Sequence, residues 1–178
     1  ISSSDIQIKH QLGKSEKDVL EIVKKTVYHA KQYTDEIEYS PMDASRTRIE
    51  YLYEIIEAAI ENGATIINIP DTVGYSTPIE FGELIKKIRS NVRNIDKAII
   101  SVHCHNDLGM AVANSVVAAM NGAQQIECSV NGLGERAGNA SLEEVVMHIE
   151  ARKAYLGLET GIDVSQLYKT SKIVSKYM

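Results

Sequence analysis

At 178 residues the chain is long enough to bury a core as one domain. Hydrophobic residues at 44% against 24% charged exclude a disordered chain. A net charge of −5, from 24 Asp plus Glu against 19 Lys plus Arg, speaks against a surface for nucleic acid or an anionic membrane. The two cysteines, Cys104 and Cys128, stand outside any CxxC spacing, which argues against a disulfide scaffold and for the reducing cytoplasm. No apolar run approaches the roughly 18 residues a membrane span requires. The opening Ile1–Asp5 has no targeting features and no Met, so the chain reads as part of something longer.

In chain order, helix starts carry clear signals. Ser15 with Asp18 is a weaker relative of the capping box, and Thr47 with Glu50, Thr77 with Glu80 and Ser141 with Glu144 match its S/T-x-x-E form. Pro78 takes the favoured first helical position. Apolar residues follow at helical spacing, as in Val19, Ile22, Val23 and Val27, or Leu52, Ile56, Ala59 and Ile60. Gly63, Gly122 and Gly157 follow three of these helices. Strands are predicted at 36–40, 65–70, 98–105 and 125–131, and a last helix at about 164–177. The alternation of strand and helix implies a parallel sheet.

Successive strand residues face opposite sides. Glu38 and Ser40, Asn68 and Thr72, Ser101, His103 and His105, and Glu127, Ser129 and Asn131 therefore each line one face, opposite isoleucines, valines and the two cysteines. A doubly wound sheet would be apolar on both faces. A β/α barrel with a polar upper interior accounts for the pattern, and four βα units make half of a TIM (β/α)8 barrel. The expected division is the C-terminal half of a barrel over residues 1–160 and a following helix over 161–178.

The chemistry concentrates in three places. His103-Cys104-His105 puts two imidazoles on one side of a strand, where they either chelate one divalent ion or stand two apart by chance with one of them bonded in the core. Asp107 either orients a ligand imidazole or caps the next helix. The loop Asn131–Asn139 holds three glycines, which let backbone approach a ligand, and Arg136, which suits a carboxylate or phosphate or else pairs locally with Glu135. Thr72 ends a polar strand face and is placed to donate to an anionic group, whereas Asp71 and Gly74 read equally as a turn. Cys104 and Cys128 lie on apolar faces and read as core. His10, His29 and His148 have no partner at useful spacing.

INIPDTVGY at 67–75, SVHCHNDLGMAVANS at 101–115 and NGLGERAGNASLEE at 131–144 together resemble the 2-isopropylmalate synthase family, part of a wider group of metal-dependent TIM-barrel enzymes that condense or cleave acyl-CoA substrates. The resemblance spans nearly the whole chain. It implies that His103, His105 and Asn139 bind one divalent metal, Mn2+ foremost with Mg2+, Zn2+ or Co2+ as alternatives. It implies that Thr72 binds the carboxylate of a 2-oxo acid, and that Ser40 and Glu38 line the same pocket. The implied reaction joins acetyl-CoA to 3-methyl-2-oxobutanoate, giving 2-isopropylmalate and CoA, in a homodimer when full length. Homocitrate or citramalate synthesis, a lyase of the hydroxymethylglutaryl-CoA type, and a catalytically incomplete fragment are the alternatives. Two departures stand out. The family's RDGEQ motif, source of an Asp ligand and an Arg, is not in the chain, and Met42 stands where relatives carry Glu.

Overall fold

The computed structural model describes residues 1–178. Its centre is a four-stranded, all-parallel sheet in the order β1 (Glu38–Tyr39), β2 (Ile66–Asp71), β3 (Ile99–Cys104) and β4 (Gln125–Glu127). Consecutive strands are neighbours, so each crossover runs the same way and the sheet is half of a β/α barrel. The helices are α1 (Asp5–Gln7), α2 (Glu16–Ala30), α3 (Ile49–Glu61), α4 (Pro78–Asn91), α5 (Ala111–Met120), α6 (Leu142–Leu156) and α7 (Leu167–Val174). None is long and apolar enough to cross a membrane.

The core lies between the strands' apolar face and the helices. Ile67, Ile69, Ile100, Val102 and Cys104 from the strands are buried with Leu52, Ile55 and Ile56 of α3 and Phe81, Ile85 and Ile88 of α4. Cys104 is fully buried, while Cys128 is half-buried against this core. The other face carries the polar residues. Register places Asn68 beside Ser101 and Ser101 beside Gln125, then Pro70 beside His103 and His103 beside Glu127. Gln125 Nε2 donates to Ser101 Oγ and to Glu38 Oε2, and Asn68 Nδ2 donates to Ser40 Oγ and Glu127 Oε2. Asn68–Ser40 and Gln125–Ser101 join adjacent strands, whose alternate side chains stand in rows, while Asn68–Glu127 and Gln125–Glu38 join strands that are not neighbours.

Several expectations need correcting. The fourth strand ends at Glu127, and Asn131 sits in a tight turn with φ +59°. That left-handed residue aims its side chain outward, where Asn131 Nδ2 donates to the Ser171 carbonyl and anchors α7. Thr47 does not cap α3; Arg48 is the N-cap and makes no side-chain capping bond. Thr47 instead donates to the Asp43 carbonyl. The Ser15–Asp18 and Thr77–Glu80 boxes form in full. Ser141 caps α6, but Glu143 rather than Glu144 reaches back, to the Asn131 backbone N–H and to Ser141 Oγ. The opening residues also have a role that composition did not suggest. Ser2 pairs in parallel with Met42, through Met42 N–H to the Ile1 carbonyl and Ser3 N–H to the Met42 carbonyl, both at 2.9 Å.

Candidate metal and substrate site

The loops after β2, β3 and β4 meet at the C-terminal end of the sheet and are joined by backbone bonds. His105 N–H donates to the Asp71 carbonyl, Leu108 N–H to that of Gly74, and Asn106 N–H to that of Gly138. Gly74 has φ +61°, and a Cβ there would lie 2.8 Å from the His105 carbonyl, so the second and third loops touch only because residue 74 has no side chain. Asp71 is fully buried and accepts from Ser45 Oγ and Ser76 N–H, so of its two readings it takes the structural one.

Within this rim lies an open cavity of about 410 Å³ lined by Ser40, Thr72, His103, His105, Glu127 and Arg136, with Met42 and Asn68 beside them. Four of the expected site residues on three different strand ends therefore share one wall with Arg136. Glu38 sits lower on the same face, at the sheet's free edge. Partial burial, then the neighbouring Glu127 carboxylate, push its carboxyl up to about 7. Thr72 Oγ1 accepts from Asp43 N–H at 2.9 Å, which leaves its own O–H proton free to donate into the cavity.

His103 Nε2 and His105 Nε2 are 2.8 Å apart. Two nitrogens bound at about 2.1 Å to one ion, a right angle apart, would stand about 3 Å from each other, so the pair is set for a shared ion. Burial holds the pKa of both imidazoles below the usual histidine value, favouring the neutral form that ligation needs. His103 Nδ1 lies 3.0 Å from Glu127 Oε2, a close contact without hydrogen-bond geometry, so that buried ring nitrogen has no hydrogen-bond partner. Asn139 pairs with His105 across an antiparallel bridge. Its Nδ2 donates to the Leu133 carbonyl, while its Oδ1 is buried with no partner. An unpaired buried acceptor on the residue bridged to His105 suits a cation ligand, although Asn139 does not line the cavity that holds the two imidazoles. No three His, Cys, Asp or Glu side chains form a complete cage, so these donors make part of a coordination set.

Asp107 takes neither of the two roles open to it in the sequence. It pairs with Arg136, Nε to Oδ1 and Nη2 to Oδ2, both at 2.7 Å. Arg136 adopts φ +56° and spends Nη2 also on the Thr72 carbonyl at 2.8 Å and on His105 Nδ1 at 2.7 Å. The guanidinium thus ties all three loops together. Alternation puts Glu127 on the polar face, but nothing in the sequence marks its closeness to His103, and the Asp107–Arg136 pair spans 29 residues without a local signal.

Comparison with known proteins adds the following. The sequence matches the model of the HMGL-like family over residues 1–174. It is 88% identical over all 178 residues to a 2-isopropylmalate synthase of Acetivibrio thermocellus, of which it covers 35%, and 59% identical over 175 residues to that of Ruminiclostridium cellulolyticum, of which it covers 34%. The chain thus spans about a third of the length of these curated relatives. Among solved structures, hydroxymethylglutaryl-CoA lyase from Pseudomonas aeruginosa superposes with a TM-score of 0.79 at 21% identity, covering 99% of this chain and 60% of that one. The HMG-CoA lyase of Brucella melitensis does so with a TM-score of 0.79 at 20% identity, covering 99% and 64%. At these identities the structural likeness speaks for the fold.

Proposed function

Because the chain belongs to the HMGL-like family, we propose that it is the metal- and oxo-acid-binding half of a barrel that makes 2-isopropylmalate from acetyl-CoA and 3-methyl-2-oxobutanoate in the cytoplasm. The observation that carries this reading is the meeting of His103 and His105 Nε2 in one cavity with the Thr72 hydroxyl. The identity to 2-isopropylmalate synthases, far above that to the lyases, supports synthesis over cleavage.

His103, His105 and Asn139 would hold the divalent ion, for which Mn2+ is the first candidate. Bound there, it would supply a Lewis acid that polarises the 2-oxo group and offsets charge on that oxygen. Thr72 donates its free hydroxyl proton to the substrate carboxylate, and Ser40 lines the wall where that acid sits. Glu127 stands behind the His103 ring, its Oε2 3.0 Å from Nδ1. Arg136 and Glu38 flank the substrate wall and set its charge, positive above and protonatable below. The full-length enzyme is proposed to act as a homodimer.

The test is thiol release from acetyl-CoA by the enzyme that carries this half barrel. Mn2+-dependent release is expected with 3-methyl-2-oxobutanoate and little with pyruvate or 2-oxoglutarate. Thr72→Val should raise KM for the oxo acid about 10- to 100-fold, the worth of one hydrogen bond to a charged group. Faster release with pyruvate or 2-oxoglutarate would reassign the substrate to citramalate or homocitrate synthesis.

A second reading is favoured by Met42, which lines the cavity with a thioether that can serve neither as base nor as strong acceptor. On that reading the 178-residue chain binds metal and oxo acid without turning them over.

A further inference from the structure

Asp43 is a charged residue that is completely buried, and its φ of +68° is left-handed. The other non-glycine residues with positive φ, Asn131 and Arg136, belong to the loop that brings Arg136 to the cavity. Such backbone at a residue with a Cβ persists only where its surroundings hold it, and it gathers at functional sites. Every polar group of Asp43 is engaged. The carboxylate accepts from Arg46 Nε at 2.9 Å, from Arg46 Nη2 at 2.8 Å and from Ser4 Oγ. The carbonyl accepts from Thr47 Oγ1 at 3.0 Å and from Arg46 N–H at 3.1 Å. The N–H donates to Thr72 Oγ1.

That last bond is aimed from the far side. The peptide joining Met42 to Asp43 turns its carbonyl to the opening segment, where Ser3 N–H donates at 2.9 Å and Ser3 Oγ at 3.1 Å. In a trans peptide the N–H points the opposite way, so the hold of Ser3 on one end directs the other at Thr72. The left-handed turn then carries the chain into 44–46, which is tied to the end of β2 a second time through Ser45 Oγ to Asp71 Oδ1 at 2.8 Å. Arg46 neutralises the carboxylate that anchors the turn, without which a bare charge would be buried. Asp43 has no exposed surface and no place on the cavity wall, so it reaches a ligand only through Thr72. Resting on the reading that Thr72 binds the oxo-acid carboxylate, we propose that Asp43 is the positioning residue for that hydroxyl. It occupies one lone pair of Thr72 Oγ1, fixes the side-chain rotamer and leaves the proton directed at the acid.

A hydrogen bond to a carboxylate that does not react is made equally in the ground and transition states, so its loss shows in KM and not in kcat. The test is steady-state kinetics with Mn2+ in the full-length enzyme that carries this half barrel, beside melting curves. Asp43→Ala, which disfavours the left-handed turn, should raise KM for 3-methyl-2-oxobutanoate about tenfold, with kcat and the KM for acetyl-CoA within about twofold of the parent. Asp43→Asn, at ease in that conformation, should bring the oxo-acid KM back to within about threefold of the parent. Placed on Thr72→Val, Asp43→Ala should add nothing, because the group it positions is gone. Thr72→Ser keeps the hydroxyl but lacks the β-branch that stiffens threonine; held by the Asp43 N–H alone, it should show a KM about tenfold below that of Thr72→Val. Losses that multiply in the double variant, or a fall in kcat at constant KM, would overturn the proposal. So would a Thr72→Ser as impaired as Thr72→Val, an arm that decides even where Asp43→Ala does not fold. Thr72→Val with an unaltered KM is the separate result in which the oxo-acid reading fails, and the role of Asp43 fails with it.

Discussion

Gly134 is defined by what stands against it. A Cβ on this residue would lie 2.6 Å from Asn139 Cγ and 2.7 Å from both amide heteroatoms, and the Asn139 amide is already tied through Nδ2 to the Leu133 carbonyl. The side chain cannot swing away without breaking that bond. Gly134→Ala is therefore expected to misplace the Asn139 oxygen and to weaken divalent-metal binding about tenfold, while the thermal midpoint shifts by only a few degrees because the loop is exposed. Calorimetric titration with Mn2+ beside a melting curve checks this; unchanged affinity would remove Asn139 from the ligand set. At this scale legibility followed distance along the chain. His103 and His105 were visible as a spacing of two on a strand. Asn139 came only through family resemblance, since a loop position carries no periodicity to interpret. Arg136 was recognisable as an anion binder, but its engagement with Asp107 and His105 depends on three loops meeting, which no local pattern encodes.

Among the elements, the two threonine signals of the same form have opposite outcomes. Thr77 and Glu80 make a reciprocal box, with Glu80 Oε2 accepting from both Thr77 N–H and Thr77 Oγ1. Thr77→Ala should cost about 1 kcal/mol, and Thr77→Ala with Glu80→Ala should be non-additive because each serves the other. Thr47 donates to the Asp43 carbonyl, and Glu50 pairs with Arg48, so Thr47→Ala and Glu50→Ala should add to within about 0.5 kcal/mol. Urea unfolding of the two double-mutant cycles decides it, and coupling in the second would restore Thr47 as a cap. The motif misled at 47 because the preceding turn competes for the hydroxyl. Asp43 is left-handed and fully buried, held bidentately by Arg46, and its carbonyl captures the side chain one turn early. Helix existence and strand order were legible from periodicity. Strand ends were not, since Asn131 reads as one more polar alternate until the chain turns at φ +59°.

For the molecule as a whole, β1 and β4 are both edge strands, and apolar cavities open beside each. One is lined by Ile22, Val23, Val27 and Ile37, the other by Ile126, Val145, Val146 and Ile149. Unpaired parallel edges flanked by apolar surface favour association. Sedimentation velocity of the 178-residue chain should show concentration-dependent self-association at about 10–100 µM, and a single monomeric species across that range would contradict it. The half-barrel architecture is legible from four polar-faced strands, because a barrel with a polar interior accounts for polarity on the face away from the helices better than a doubly wound sheet does.

That polar interior has a consequence for assembly as well as for chemistry. Asn68 is bonded to Glu127, and Gln125 to both Ser101 and Glu38, in two cross-strand groups that depend on one register. Sliding any strand by one residue would turn these groups into the isoleucine and valine core and bring apolar side chains into the cavity. Each polar group so stranded would cost about 1–3 kcal/mol. The site therefore proofreads the folding of the sheet that carries it: a register error and a ruined pocket are the same event, and the energy that rejects one rejects the other. An interior rebuilt from aliphatic side chains would lose this discrimination between neighbouring alignments, however well it packed.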